Sequence, residues 1–579
     1  MKASLKSIGP YWTSLADSFC VSPQTIEVFE RRLRCEGDKF LLEYLPSLGK
    51  EFEKTLVTGK KLDIFYLRFS TLHGTELPLF LSELFLKVLN KDGSLRTDAS
   101  PLHIKRIRQL LLLCYKLEVP YEEDDPRVSA AINSFTERDR TLTVESIPLD
   151  QARYGLIAQK ARGLISRLLQ KCNPMDIKPR HGSGATSCRT PNRDKYHSFR
   201  FIEKLNRVFP YDEYFFYNST HLCDNLDDYR TCSTVETPVA RLVCVPKDIR
   251  GPRLICCEPR EHQFIQQGLM LKLYNHVERH WLTKGFVNFT NQAINQNLAR
   301  QSSIDEDLAT IDLKDASDRV RHDLVEYLFP GNWVDAFNAC RTEHVQLPDG
   351  STYGPMRKFA PMGSAVCFPV EALTFWALLK ATLDCDVYVY GDDIIIPKSH
   401  VNEAFDILQA FSLAVNYDKS CYMTPFRESC GGDYYNGIDV GYVKFRQQVQ
   451  DTIQSEVSLV EFTNQVREHY GDMVAAPLRS LVDAQFGVHF TSLEQYELCY
   501  TGIPRASNDV FFRRRWHADH QRTQYLLPCV ITRLDRSRTH PKFSWGEILR
   551  AELEGTSELR HSGCYATPGC TKKYRWRSV

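Results

Sequence analysis

The chain has 579 residues, 43% of them hydrophobic and 25% charged, a balance that excludes intrinsic disorder and allows a large buried core. Its 73 lysines and arginines nearly cancel 72 aspartates and glutamates, leaving a formal charge of +1. There is no global basic field, so affinity for nucleic acid would have to reside in local patches.

The 19 cysteines are scattered, several in apolar segments (Cys244, Cys256, Cys257, Cys340, Cys367), where a free thiol behaves as a small hydrophobe. That usage predicts a reduced, cytosolic compartment and not a disulfide framework. His561, Cys564 and Cys570 have metal-like spacing but lack an obvious fourth ligand nearby. The opening run MKASLKSIGPYWTSLADSF has no continuous apolar core of signal-peptide length. The most apolar stretches, 110–113 and 77–89, are too short for a membrane span or carry Glu83 and Lys87.

In chain order, residues 1–150 read as mostly helical, with short amphipathic runs such as 104–113 and no recognisable chemistry. Residues 171–205 are rich in Gly, Ser and Pro. Lys178, Arg180, Arg189, Arg193, Lys195, Arg200 and Lys204 crowd that stretch and predict a basic loop. VPKDIRGPRLICCEPR (245–260) sets Lys247, Arg250 and Arg253 three residues apart before an apolar run. LATIDL (308–313) is a strand-like run ending in Asp312, and Val320, Leu324 and Leu328 then predict a helix. EHVQLPDGSTYG (343–354) predicts a hairpin around Pro348, Asp349 and Gly350. PMGSAVCFPVEALTFWALL (361–379) is a Gly-Ser loop opening a helix, with Val366, Val370, Leu373 and Ala377 on one face and Pro369 early enough to be tolerated. In VYVYGDDIIIP (387–397) two β-rich runs flank Gly391-Asp392, which suits a type II′ turn. Asp392 would then lie at a hairpin tip, with Asp393 beginning the return strand. A helix over 401–411 follows. Residues 447–579 are mixed, with basic and aromatic side chains interleaved in FFRRRWH (511–517) and KKYRWR (572–577).

Adjacent carboxylates beside apolar strands repel and are partly desolvated, so something positive must compensate. Magnesium suits that task, because it prefers hard oxygen ligands. A lone Gly-Asp-Asp is weak as a signal. With Asp312 ending a second strand, three acids would meet at one sheet end if the strands pair. That is the arrangement for two metal ions about 3.5–4 Å apart, serving an attacking hydroxyl and a leaving pyrophosphate. A triphosphate also needs cations to neutralise it, and Lys247, Arg250 and Arg253 are candidates.

The ordered set of motifs resembles viral RNA-dependent RNA polymerases, most closely the replicase subunit of the levivirus group of RNA phages. The resemblance rests on RHGSGAT (180–186), VPKDIRGPR with CCEP, TNQAINQNLA (290–299), ATIDLKDASD (309–318), MGSAVCFPVEALTF, YGDD, Asn416 with Lys419, and PFRESCGGDYYNGIDV (425–440). It covers roughly 180–186 and 240–446. It implies an α+β, right-handed polymerase fold of fingers, palm and thumb, with an antiparallel palm sheet backed by helices. The corresponding blocks are 1–260 (N-terminal region and fingers), 261–446 (palm) and 447–579 (thumb-like). The implied activity is copying of a single-stranded RNA phage genome. Asp312, Asp392 and Asp393 would hold two magnesium ions and Lys419 would act as a general acid. Lys247, Arg250, Arg253, Asp318 and Ser364 would bind the nucleotide. RNA template and nucleoside triphosphates are the implied ligands. Host elongation factors Tu and Ts, and for some relatives an RNA-binding ribosomal protein, are the implied partners in the bacterial cytoplasm. Of Phe85, Leu110, Tyr115, Phe511, Phe512 and Trp516, most would be core, fingers or thumb, and any that form a contiguous exposed patch would mark a partner-facing surface. A reverse transcriptase would share the acids, but the polar Asp318, where a DNA-making palm carries a bulky side chain, favours ribonucleotides. An intact triad of acids also argues against a non-catalytic nucleic-acid binder, since without metal it would repel phosphate.

Overall fold

The 308–311 run is short and apolar, and it becomes the edge of a three-stranded sheet. In the computed structural model, which describes residues 5–118, 121, 125–144, 147–190, 195–196, 199–248, 250–450, 452–486, 514–519, 521–534 and 568–578, strand Leu308–Ile311 pairs antiparallel with Asp393–Pro397. That strand in turn pairs antiparallel with Tyr388–Tyr390. Ala309, Ile311, Val389 and Ile394 to Ile396 are all buried, as expected of a sheet covered on both faces. Helix Cys367–Lys380 packs against the Tyr388–Tyr390 strand and buries nearly every residue. Helices Ala152–Leu169 and Val401–Ala410 pack on that helix in turn. The expected α+β arrangement of an antiparallel sheet backed by helices is therefore what the chain adopts.

A second sheet runs Gly251–Cys257, Val239–Asp248, His344–Gln346, Thr352–Tyr353, with one parallel pair between the middle two strands. The hairpin predicted at 348–350 joins its last two strands, and Gly350 takes the left-handed φ of +85°. A third, antiparallel sheet comprises Phe426–Ser429, Gly432–Tyr435 and Ile438–Asp439. The helix predicted through Val320, Leu324 and Leu328 is divided into Ala316–Arg319 and His322–Leu328. Its backbone is claimed there by a neighbouring segment. Phe359 donates its N–H to Val320 O at 2.7 Å, and His322 donates to Arg357 O at 2.9 Å.

The buried side chains form two large cores. One gathers residues between Ile157 and Val415 around the three-stranded sheet. The other joins 8–117 to 421–482, so residues from the first block of the sequence meet residues beyond the catalytic motifs. Arg108, only 2% exposed, pins these segments together. Its guanidinium donates to Val440 O at 2.6 Å and to Glu53 Oε1 and Asp433 Oδ2, both at 2.8 Å. Gln109 adds a reciprocal pair with the Val443 backbone, both bonds at 2.8 Å.

The surface candidates divide. Phe85, Leu110 and Tyr115 are buried in the second core and cannot face a partner. Trp516 is 64% exposed, whereas Phe511 and Phe512 lie outside the described residues. The predicted basic loop is partly structural: Lys195 is buried and donates to Gly182 O and Gly184 O, Arg200 pairs with Glu261, and Lys204 pairs with Glu343. Arg193, His561 and Cys564 lie outside the described residues. No helix among the described residues is long and apolar enough to cross a membrane.

Arg108→Met would leave Glu53 and Asp433 without their shared cation in a buried setting. The expected loss of unfolding free energy is about 3–5 kcal/mol, measured by urea denaturation. A change below about 1 kcal/mol would mean that the bracket does not tie the two segments together.

Candidate active site

Register brings the acids together. Ile311 pairs with Ile394, so the next pair along the antiparallel ladder sets Asp312 opposite Asp393. Tyr390 pairs with Asp393, which leaves Gly391 and Asp392 as a two-residue loop. Gly391 has φ +62° and Asp392 is not left-handed, the pattern of a type II′ turn. A Cβ at Gly391 would stand 2.1 Å from the Phe368 ring, so both conformation and space demand glycine.

Asp312 Oδ2 accepts from Asn416 Nδ2 at 2.6 Å and lies 3.7 Å from Lys419 Nζ. Its backbone is held from both sides, by Ser420 Oγ at 3.3 Å and by the Asn416 N–H at 2.9 Å. Asp393 Oδ2 accepts from the Cys430 N–H at 3.0 Å. These bonds do not offset the crowding of charge. Burial raises the proton affinity of Asp312, against the pull of Lys419 and Asn416. Burial and the neighbouring Asp392 push Asp393 up to about 6. Burial, with Asp433 and Asp393, pushes Glu428 up to about 8. Glu371, on the helix behind the hairpin, is raised well above the usual carboxylate range by burial, Asp392 and Asp318, and its Oε2 has no hydrogen-bond partner. No three His, Cys, Asp or Glu side chains among the described residues stand as a ready metal cage. The donor chemistry nonetheless fits magnesium: hard carboxylate oxygens, concentrated at one strand end and short of compensating charge.

Cations converge from a different element. The ladder between Val239–Asp248 and Gly251–Cys257 is interrupted between Val245 and Asp248, next to Lys247. Desolvation and the charges of Arg253, Arg250 and Lys419 pull the Lys247 ammonium below the usual lysine value, so these three cations lie within electrostatic reach of Lys247. Arg253 is exposed. Arg250 is less free than its spacing predicts, since its guanidinium lies 2.9 Å from Asp248 Oδ2.

The ribose candidates separate. Asp318 Oδ1 accepts from Lys358 Nζ at 3.0 Å, and Arg138 stands 3.8 Å from Oδ2. Ser364 is buried, its Oγ is unpartnered, and it lines a small cavity with Glu258, Arg341 and Thr342. It does not cap the following helix, whose N-cap position is Val366. Glu371, Lys358 and Arg138 were not singled out in the sequence as site residues. Glu428 lies inside the quoted RESCGGD segment and offered a signal; Lys358 and Arg138 offered none, being 40 and 180 residues from Asp318 in the chain.

Residues 142–471 match the family model described as RNA replicase, beta-chain. The chain belongs to that family. Similar members include the RNA-directed RNA polymerase subunit beta of Qbeta virus (strain MX1), 32% identical over 301 residues and covering 49% of each chain. The corresponding subunit of Enterobacteria phage SP is 35% identical, covering 36% of each. The beta chain of Escherichia phage MS2 is 34% identical, covering 34% of this chain and 36% of that one. The matched part thus spans half or less of these family members. Among solved structures, the BmCPV RNA-dependent RNA polymerase at its elongation state superposes with a TM-score of 0.36 and 10% identity, over 56% of this chain and 33% of that one. The polymerase of a human picorbirnavirus gives 0.32 and 9%, over 43% and 56%.

The crowded carboxylates generate a pH dependence. Asp393 is raised from 3.8 to about 6, so its ionisation costs stability as pH rises through that window. In a chelator, Asp393→Asn is expected to unfold at a higher temperature than wild type at pH 7.5, by the equivalent of about 2–3 kcal/mol. Below about pH 4 the two proteins should melt alike. Equal melting temperatures at pH 7.5 would refute the repulsion.

Proposed function

We propose that this protein is an RNA-dependent RNA polymerase that copies a single-stranded RNA phage genome by two-metal-ion nucleotidyl transfer, releasing pyrophosphate. The observation that carries the reading is the register that sets Asp312 opposite Asp393 with Asp392 at the adjoining tip. In this reading the three-stranded sheet is the palm. Asp312, Asp392 and Asp393 would hold two magnesium ions, which when bound supply Lewis acidity to the attacking hydroxyl and the departing pyrophosphate.

The chain's own side chains divide the remaining work. Lys247, Arg253 and, with less freedom, Arg250 neutralise the triphosphate and orient it. The primer 3′-hydroxyl gives up its proton to solvent as its oxygen attacks the α-phosphorus; a new P–O bond forms, and the bond from the α-phosphorus to the bridging oxygen of the β-phosphate breaks, releasing pyrophosphate. Lys419 gives a proton to that leaving oxygen. Desolvation opposes its charge, but the neighbouring acids, Asp312 foremost, outweigh it and hold its proton affinity above the usual lysine value, so the donor stays loaded at neutral pH. Asp318 accepts a hydrogen bond from a ribose hydroxyl, which separates ribonucleotides from deoxyribonucleotides. Ser364, buried with its Oγ unpartnered, is the second candidate for a ribose hydroxyl. Elongation factors Tu and Ts, and for some relatives a ribosomal RNA-binding protein, are the partners that go with this reading in the bacterial cytoplasm. Their retention with the full-length chain in a pull-down tests that part.

Asp392→Asn and Asp393→Asn are expected to abolish ribonucleotide incorporation on a primed RNA while leaving the folded circular dichroism spectrum unchanged. Retention of more than about 5% of the wild-type rate, which corresponds to under 2 kcal/mol, would sink the metal assignment. Lys419→Ala is expected to slow the single-turnover rate about 10²–10⁴-fold, and a normal rate would exclude the general acid.

A further inference from the structure

The helix Pro126–Val144 belongs to a stretch in which the sequence shows no chemistry, yet it packs against strand Gly251–Cys257 and against Ala316–Arg319, the short helix that carries Asp318. Asp139, 1% exposed, accepts the N–H groups of Arg357 and Lys358 at 3.0 and 2.9 Å, and the Tyr353 hydroxyl at 3.0 Å. Arg321 donates to Leu142 O at 2.8 Å. The Lys358 ammonium sits 3.5 Å from the centre of the Phe135 ring and is fully buried. These contacts fix where residue 138 lies.

A closed ring of interactions results. Asp139 holds the Lys358 backbone, the Lys358 ammonium holds Asp318 Oδ1 at 3.0 Å, and Arg138 faces Asp318 Oδ2 at 3.8 Å from the residue next to Asp139. Arg138 is itself anchored on Asp315 Oδ2 at 2.9 Å. Asp139 is held by backbone N–H groups, while Lys358 and Arg138 face the other two acids, Asp318 and Asp315. The geometry leaves one acceptor open: Oδ1 is occupied, whereas Oδ2 has a cation beyond hydrogen-bond distance, which attracts the oxygen without using its lone pairs. Asp318 keeps 19% of its side chain exposed.

We propose that Arg138 is a specificity-determining positioning residue, which holds Asp318 Oδ2 where the 2′-hydroxyl of an incoming ribonucleoside triphosphate donates to it. This rests on the reading of Asp318 as the ribose acceptor. Arg138 touches no reacting atom. Without its charge Asp315 loses its cation beside Asp318 and nothing draws Oδ2 into place, so the carboxylate, still held by Lys358 at Oδ1, turns away from the hydroxyl or exposes Oδ2 to water.

The test compares kcat/KM for ribo- and 2′-deoxyribonucleoside triphosphates on a primed RNA, with the full chain. Wild type, Arg138→Met, Arg138→Lys, Asp318→Ala and the Arg138→Met/Asp318→Ala double variant are needed. Arg138→Met is expected to lower the ribo-to-deoxy ratio on the order of three- to tenfold, through KM for the ribonucleotide more than through kcat. Arg138→Lys should restore most of the ratio, and the double variant should discriminate no worse than Asp318→Ala. A wild-type ratio in Arg138→Met, with Asp318→Ala impaired, overturns the role of Arg138 and leaves Asp318 standing. An unchanged ratio in Asp318→Ala overturns the ribose reading beneath it, and with it a route through Asp318. Loss in the double variant beyond that of Asp318→Ala likewise overturns that route. Melting temperatures of the variants separate these outcomes from misfolding.

Discussion

Repulsion among crowded, partly buried carboxylates at the end of one sheet is the constraint to which the rest of this molecule answers. Two unit charges 4 Å apart interact by about 4 kcal/mol at an effective dielectric constant near 20. Asp393, pushed up to about 6, and Glu428, pushed up to about 8, carry the mark of that cost. A fold maintains such a site only if the backbone is held by something stronger than the charges it bears. Here that something is the apolar ladder of Ala309, Ile311 and Ile394 to Ile396, with helix Cys367–Lys380 packed behind it. A slip of one residue would turn every side chain of a strand to the opposite face, so burial fixes the acids as firmly as it fixes the isoleucines.

The cations arrive on elements outside the three-stranded sheet. Lys247, Arg250 and Arg253 belong to a hairpin in the four-stranded sheet, and Lys419 follows the strand partner of Leu313 and Lys314. Supplying positive charge from separate elements keeps it from collapsing onto the acids before a substrate arrives. Only Lys419 comes close, at 3.7 Å from Asp312, and Arg250 is detained by Asp248. Around Asp318 the arrangement is the reverse: Lys358 is buried against it and Arg138 stands off, so the acid is neutralised yet retains a free acceptor.

The helices before residue 150 are part of this architecture rather than an appendage to it. Arg108 and Gln109 bind the backbone and side chains of segments more than 300 residues later, and Glu53 and Asp433 share one guanidinium. Asp433 pairs across the strand with Glu428, whose proton affinity Asp433 and Asp393 both raise. The chain thus closes on itself around the acidic strand end, with the second core acting as a clamp.

By itself the sequence determined the local elements near the acids. The β-rich runs around Gly391, the Gly-Ser loop opening a helix and the turn at Gly350 are each dictated within a dozen residues, by alternation, by turn chemistry and by the positive φ that glycine alone adopts without strain. The tip position of Asp392 and the strand start at Asp393 follow from that. The pairing that brings Asp312 to them needed only the assumption that the two strands are neighbours. The break at Val320, the burial of Phe85, Leu110 and Tyr115, and the inward turn of Lys195 were decided by tertiary structure, because each depends on partners far along the chain. The same holds for Arg138 and Lys358. Nothing in a basic residue's own surroundings tells whether it will meet water or a carboxylate 180 residues away, since charge acts through space and the folded backbone alone sets that distance.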